Sequence, residues 1–188
     1  MGPAQRQLYE KAIGQHGIVT AEDAGELGID GAVLRMLHSR DRLERLSRGV
    51  YRFPEMPAGP LDQYAAATFW PLGVRGVLSH ITALERHELC DVNPSRIDLT
   101  LPRSYDLNPR REIPAYLQLH FEDIPSGDLA LLEGLPIVTP VRAIVDAIDG
   151  AVRADLVQQA IDTLKERGML SRAEARRIAA ARKHVGAR

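Results

Sequence analysis

The sequence predicts an α+β protein in two parts, and three observations carry that prediction. Residues 5–53 read as three short helices followed by a pair of alternating strands. Residues 54–60, PEMPAGP, interrupt the pattern with three prolines and a glycine. Residues 61–188 then mix strand-period and helix-period segments. With 188 residues, 45% hydrophobic and 26% charged, the chain has enough apolar material for a core in each part. The expected division is therefore 1–53, a linker at 54–60, and an α+β domain at 61–188.

Each element has a local cause. Leu8, Ala12 and Ile13 share one helical face over 5–15, and Gly14 and Gly17 end it. Thr20 and Asp23 have capping-box spacing for a short helix at 21–27, stopped by Gly28. Asp30 caps a third helix, 31–40, with Leu34 and Leu37 inward and Arg35, His38 and Ser39 elsewhere. Residues 43–46 and 50–53 alternate around Gly49 and read as a hairpin. Three short helices followed by a two-stranded ribbon is the winged helix-turn-helix plan. Beyond the linker, 61–70 is a helix ended by Pro71, and 76–89 a brief strand entering a helix with Ser79 at the N-cap. RIDLTLP and YLQLHF alternate as strands. GLPIVTPVRAIVDAI is a strand, a Thr139 cap, and a helix opened by Pro140. Residues 154–167 form an amphipathic helix, and Ser171 with Glu174 caps a last basic helix reaching about Lys183.

The net charge of −1 hides an uneven distribution. Residues 31–53 carry six arginines against Asp41 and Glu44. Residues 54–164 hold eight basic and sixteen acidic side chains, and residues 165–188 hold eight and two. Screening confines such fields to ~8–10 Å, so a nearly neutral chain can still attract a polyanion locally. In a helix-turn-helix the second helix of the motif enters the major groove. That places Ala32, Arg35, Met36 and Ser39 at base edges, His38 or Arg42 near phosphate, and Arg45 and Arg48 on the hairpin against backbone or minor groove. Arg35 is the strongest base reader, because a guanidinium can bond G O6 and N7 together. The bland alternative is that these arginines only solvate a small helical domain.

Other chemistries find little support. One cysteine, Cys90, excludes a disulfide framework and paired-cysteine zinc. Ser79, His80, His87 and Cys90 lack a fourth metal ligand at useful spacing, and Ser79 lacks the G-x-S-x-G context of a nucleophile. The only lysines are Lys11, Lys165 and Lys183, so the central region has none for a metal-dependent nuclease core. Arg142 and Asp146 read as an ordinary i,i+4 helix pair. No catalytic residue, metal or cofactor is expected. Without an apolar N-terminal leader or a span of ~20 apolar residues, the expected location is the cytoplasm and no membrane partner is expected.

The run GIVTAEDAGELGIDGAVLRMLHSRDRLERLSRGVYRF resembles the N-terminal winged helix of the AbiEi-family antitoxins of type IV toxin–antitoxin systems, notably its ending, Leu43-Glu44-Arg45 then Arg48-Gly49-Val50-Tyr51. VLSHITAL at 77–84 and GLPIVTPVRAIVDA at 134–147 resemble later parts of the family, whose R-x-x-x-D pair falls on Arg142 and Asp146. The resemblance implies an antitoxin that binds double-stranded operator DNA, represses its own operon, and counters a cognate nucleotidyltransferase toxin through residues 61–188. It implies no enzyme: the nuclease-like module of some relatives has no counterpart here. A single winged helix makes few phosphate contacts, so two copies on repeated half-sites, as a dimer formed on DNA, are expected. The alternative is a stand-alone transcriptional regulator whose second domain senses a ligand or another protein.

Overall fold

Helix α1, Pro3–Ile13, opens on a proline whose missing N–H falls where a helix has no use for one. The structure is a computed structural model, and it describes residues 1–71, 73–110 and 112–185. Strand β1, Ile18–Thr20, follows and was not expected. Thr20 then caps α2, Ala21–Glu26. Its hydroxyl accepts from the Asp23 N–H at 3.0 Å while the Asp23 carboxylate accepts from the Thr20 N–H at 2.7 Å. The Asp30 carboxylate accepts from the Ala32 N–H at 2.7 Å and starts α3, Gly31–Ser39. Strands β2, Glu44–Ser47, and β3, Val50–Arg52, form the hairpin, and Gly49 turns it with a φ of 75° that favours glycine. The sheet order is β1-β3-β2, antiparallel throughout. Helix, strand, helix, helix, strand, strand is the winged helix-turn-helix arrangement. Leu8, Ala12, Val19, Leu34, Leu37, Leu43 and Phe53 fill its core.

The chain divides into two compact units, Met1–Gly76 with Glu133–Leu135, and Val77–Leu132 with Pro136–Arg188. The boundary expected at 54–60 therefore lies inside the first unit. Arg52 donates through Nη2 to the Met56 carbonyl at 3.0 Å, the Pro57 carbonyl at 3.2 Å and Asp62 at 3.0 Å. Met56 packs against the core, and α4, Asp62–Phe69, whose Tyr64, Ala65, Ala67 and Phe69 are buried, belongs to the same unit. Prolines mark backbone that cannot continue a helix; they do not by themselves detach it from the body.

In the second unit a mixed sheet has the order β6-β5-β4-β8-β7. Its strands are β4, Val77–Leu78; β5, Ile97–Leu101; β6, Leu117–Phe121; β7, Leu129–Leu132; and β8, Leu135–Val138. β4 runs antiparallel to β5 and parallel to β8, and β5 runs parallel to β6. Four helices complete it: α5, His80–Arg86; α6, Pro140–Asp149; α7, Ala154–Glu166; and α8, Arg172–Val185. Helix α6 packs against α5, α7 and α8 and buries Val141, Ala143, Ile144, Ala147 and Ile148.

Three local expectations change. β5 alternates in sequence yet is buried along its whole length. Its polar side chains are satisfied inside: the Asp98 carboxylate accepts from the Thr82 hydroxyl at 3.3 Å and meets His120 Nε2 at 2.8 Å, and Thr100 donates to the Ser79 hydroxyl at 2.7 Å. Ser79 and Thr139 stand at N-cap positions but make no side-chain cap bond. β7 was not foreseen. The Ser171–Glu174 capping box does form, at 2.8 and 3.3 Å. Among the described residues no helix is long and apolar enough to cross a membrane.

Candidate nucleic-acid interface

Helix α3 separates its faces cleanly. Leu34 and Leu37 are buried, while Arg35, Met36, His38 and Ser39 are exposed. Arg35 lies one turn from both His38 and Ser39, so the three share a side of the helix. Arg42 in the α3–β2 connection, Arg45 on β2 and Arg48 in the hairpin turn are exposed as well. The pairing of β2 with β3 shifts register between Arg45 and Ser47, a bulge that bends the ribbon near its basic tip.

These cations are unspent. In this unit the ion pairs are Lys11 with Asp23 and Glu26, and Arg52 with Asp62. Among the described residues, Arg35, Arg40, Arg42, Arg45 and Arg48 have no carboxylate within 4.0 Å. Arg52, counted in the basic segment by sequence, is consumed in holding residues 56–62.

The remaining candidates are partly engaged. A carbonyl only accepts, so the 2.9 Å contact between His38 Nδ1 and the Leu43 carbonyl requires a proton on Nδ1. His38 thus ties the end of α3 to the start of the hairpin. Ser39 donates its hydroxyl proton to the Met36 carbonyl at 2.9 Å, which leaves an acceptor toward solvent. Arg45 spends Nε on the Ser47 carbonyl at 3.3 Å and keeps its terminal nitrogens free. Among the described residues Arg35, Arg42 and Arg48 have no side-chain hydrogen bond or ion pair, and they suit groove or phosphate contacts best.

The second unit uses charge differently, and here sequence reasoning missed most of the arrangement. Arg142 and Asp146 are not a surface helix pair: they are 7% and 4% exposed. Arg142 meets Asp146 at 2.5 Å, Glu122 at 2.6 Å and Asp128 at 3.4 Å. Asp128 in turn receives both terminal nitrogens of Arg177, at 2.5 and 2.6 Å. Beside them His80 stacks on His120, ring centroids 3.6 Å apart, and His120 bonds Asp98 at 2.8 Å. The pieces 77–84 and 134–147 that resembled the AbiEi family meet in this one network. Only the Arg142–Asp146 spacing was local enough to notice; Glu122, Asp128 and Arg177 come from distant sequence.

Burial sets the protonation here. It pushes the His80 imidazole down to about 4, and charge on His120 and Arg142 acts in the same direction. The Ser79 hydroxyl, 3.0 Å from His80 Nδ1, can donate to a neutral ring there while it accepts from Thr100. Burial lifts the Asp146 carboxyl to about 6 against the pull of Arg142. The Arg177 hydrogen bonds hold Asp128 below the usual carboxylate range. Ser79 is fully buried and committed, His87 bonds the Val138 carbonyl at 2.8 Å, and Cys90 lies beyond α5 with its thiol pushed up by burial. The set brings no exposed nucleophile to any of its histidines.

Comparison with known proteins points to the first unit. No curated protein matches the sequence. Among solved structures, the crystal structure of the RV2827C protein from Mycobacterium tuberculosis is similar in fold: TM-score 0.52 and 20% identity, covering 96% of this chain and 72% of that one. Residues 6–54, the stretch that builds the winged helix, match the family model of the AbiEi antitoxin transcriptional regulators, and the family relationship rests on this N-terminal region.

Proposed function

We propose that the protein is an antitoxin-type transcriptional repressor that binds operator DNA through α3 and the β2–β3 hairpin. The observation that carries the reading is the set of exposed, unpaired arginines on the recognition-helix and wing elements of a region matching AbiEi regulators. Arg35 reads a base edge, with Ser39 as an acceptor beside it. Arg42, Arg45 and Arg48 bind phosphates, and His38 holds helix to hairpin so that these positions keep their spacing. Binding takes two copies on repeated half-sites upstream of the protein's own gene, because one small module makes too few phosphate contacts for tight binding. Residues 61–188 counter a cognate nucleotidyltransferase toxin; this element of the proposal rests on the family likeness of residues 6–54.

The test is a titration of the upstream duplex and a scrambled duplex at several salt concentrations, beside a thermal melt. An Arg35/Arg45/Arg48→Ala triple variant should melt as the parent does and lose specific binding. Unchanged affinity in a normally folded triple variant would overturn the DNA-binding proposal. Co-expression with the neighbouring gene product, scored for growth, tests the antitoxin part separately.

A further inference from the structure

The first unit contains a cavity of about 330 Å³ that the DNA-binding reading does not use. It is at the small end of the usual range for small-molecule sites, ~300–1,000 Å³. Its walls come from α1, α2, the hairpin turn and the segment after α4. Five charged side chains line it, and three are committed to one another: Lys11 pairs with Asp23 at 3.4 Å and with Glu26 at 3.0 Å. Asp23 is closed further by Thr20 and Gln15. That leaves Arg75 and Glu22, opposite in sign, lining one cavity without pairing to each other or, among the described residues, to any other charge.

Arg75 is held in place. Its guanidinium carbon sits 3.5 Å from the centre of the Phe69 ring. Its Nε donates to the hydroxyl of Thr68 at 3.0 Å, and Thr68 is itself buried and donates to the Ala65 carbonyl at 2.8 Å. The Phe69 contact and the Nε bond hold the guanidinium, and among the described residues its terminal nitrogens have no hydrogen-bond partner. A planar guanidinium fork matches a carboxylate in two parallel hydrogen bonds. Burial pushes the Arg75 group down to about 10, against the opposing pull of the Asp23 carboxylate. Glu22 is exposed, in the first turn of α2.

We infer that this cavity binds a small zwitterion, a free amino acid or close derivative, with its carboxylate on Arg75 and its ammonium on Glu22. The site is placed to matter for regulation. Gly49 and Val50 line it, and the Gly49 carbonyl accepts from the Ala21 N–H at 2.8 Å, so a ligand bears directly on the turn of the hairpin carrying Arg45 and Arg48. An occupied cavity should therefore change operator affinity, a consequence that rests on the DNA-binding proposal. Ligand binding itself does not rest on it.

The experiment uses the full chain and the set of common L-amino acids as probes, by thermal shift and then calorimetry without DNA. At least one amino acid should bind, and its N-acetyl and carboxamide forms should each bind at least tenfold more weakly. Glu22→Gln, on the exposed face of α2, and Arg75→Lys, which keeps the charge and loses the fork, should show the same loss while melting normally. No binding by any of the amino acids, equal binding of the blocked forms, or retained affinity in folded variants would each overturn the inference. Binding without any effect on operator affinity would leave the site standing and refute only its coupling to DNA.

Discussion

The two units spend their arginines in opposite ways. On α3 and the hairpin, five arginines stand in solvent with no carboxylate within 4.0 Å among the described residues. In the second unit Arg142 is buried and shared by three carboxylates, and Arg177 clasps one of them with both terminal nitrogens. The same side chain is an available charge in one place and an internal strut in the other. Burial and partners decide which, and neither is a property of the residue type.

The largest effect should come from removing the strut. Arg142→Ala leaves Asp146 buried without its main partner and strips Glu122 and Asp128 of one donor each. Breaking a buried pair by deleting one side costs about 3–5 kcal/mol. Urea unfolding followed by circular dichroism should show a loss of that order, against a change within ~0.5 kcal/mol for Arg35→Ala. Similar small losses for both would erase the distinction between the two regions.

How much of this could be read in the sequence follows from how local each cause is. The caps at Thr20, Asp30 and Ser171 are three-residue signals, and their helices appear where those residues place them. β1 has three residues and β7 is a run of apolar residues with no alternation, so neither has a period to detect. β5 misleads because Asp98 and Thr100 look solvent-facing until Thr82 and Ser79 arrive from α5 and its N-cap to satisfy them. The basic candidates were legible, since exposure on α3 follows from the spacing of Leu34 and Leu37. Their availability was not: that Arg52 is consumed depends on Asp62 and on carbonyls in the proline segment. The Arg75 cavity leaves no motif at all, because its walls come from four separate stretches.

A pH experiment sharpens the picture of the buried network. The His80 folded value, about 4, lies below the 6.5 of an unfolded histidine. Between those values the unfolded chain holds more protons, so the stability contributed by a neutral buried His80 is full above pH 6.5 and is lost as pH falls toward 4. Asp146 works the other way: its folded value, about 6, lies above 3.8, so between these values its contribution weakens as pH rises. The two partly offset each other in the parent. In His80→Gln the His80 dependence is removed and the others stay, so the variant's stability relative to the parent should improve from pH 7 to pH 4.5. The ceiling on that improvement is about 3 kcal/mol, the 2.5-unit shift converted to energy. Parallel stability–pH curves for parent and variant would mean that His80 is not the buried neutral group described.

On the exposed side, single substitutions separate base reading from phosphate binding. Arg35→Ala should cost ~1–3 kcal/mol of discrimination and relax preference at one operator position. Arg45→Ala and Arg48→Ala should weaken specific and scrambled duplexes alike and flatten the salt slope by about one unit for each lost phosphate contact. Arg35→Ala behaving as the other two do, with a uniform loss and a flatter slope, would move it from the base edge to the backbone.

The smallest effect is expected at Arg153, and it tests whether burial alone draws the line. Arg153 belongs to the second unit, as Arg142 does, and it also meets a carboxylate closely, reaching Asp155 at 2.5 and 3.1 Å. The Arg153 hydrogen bonds even hold the Asp155 carboxyl below its usual range. Yet the two side chains are 75% and 62% exposed. Water and salt screen such a pair, and ordering two long side chains opposes what attraction remains. Arg153→Ala should therefore leave the melting temperature where it was, at low and at high salt. A clear drop at low salt that vanishes at high salt would show an exposed pair contributing to this fold. The contrast between struts and free charges would then depend on partner geometry as much as on burial.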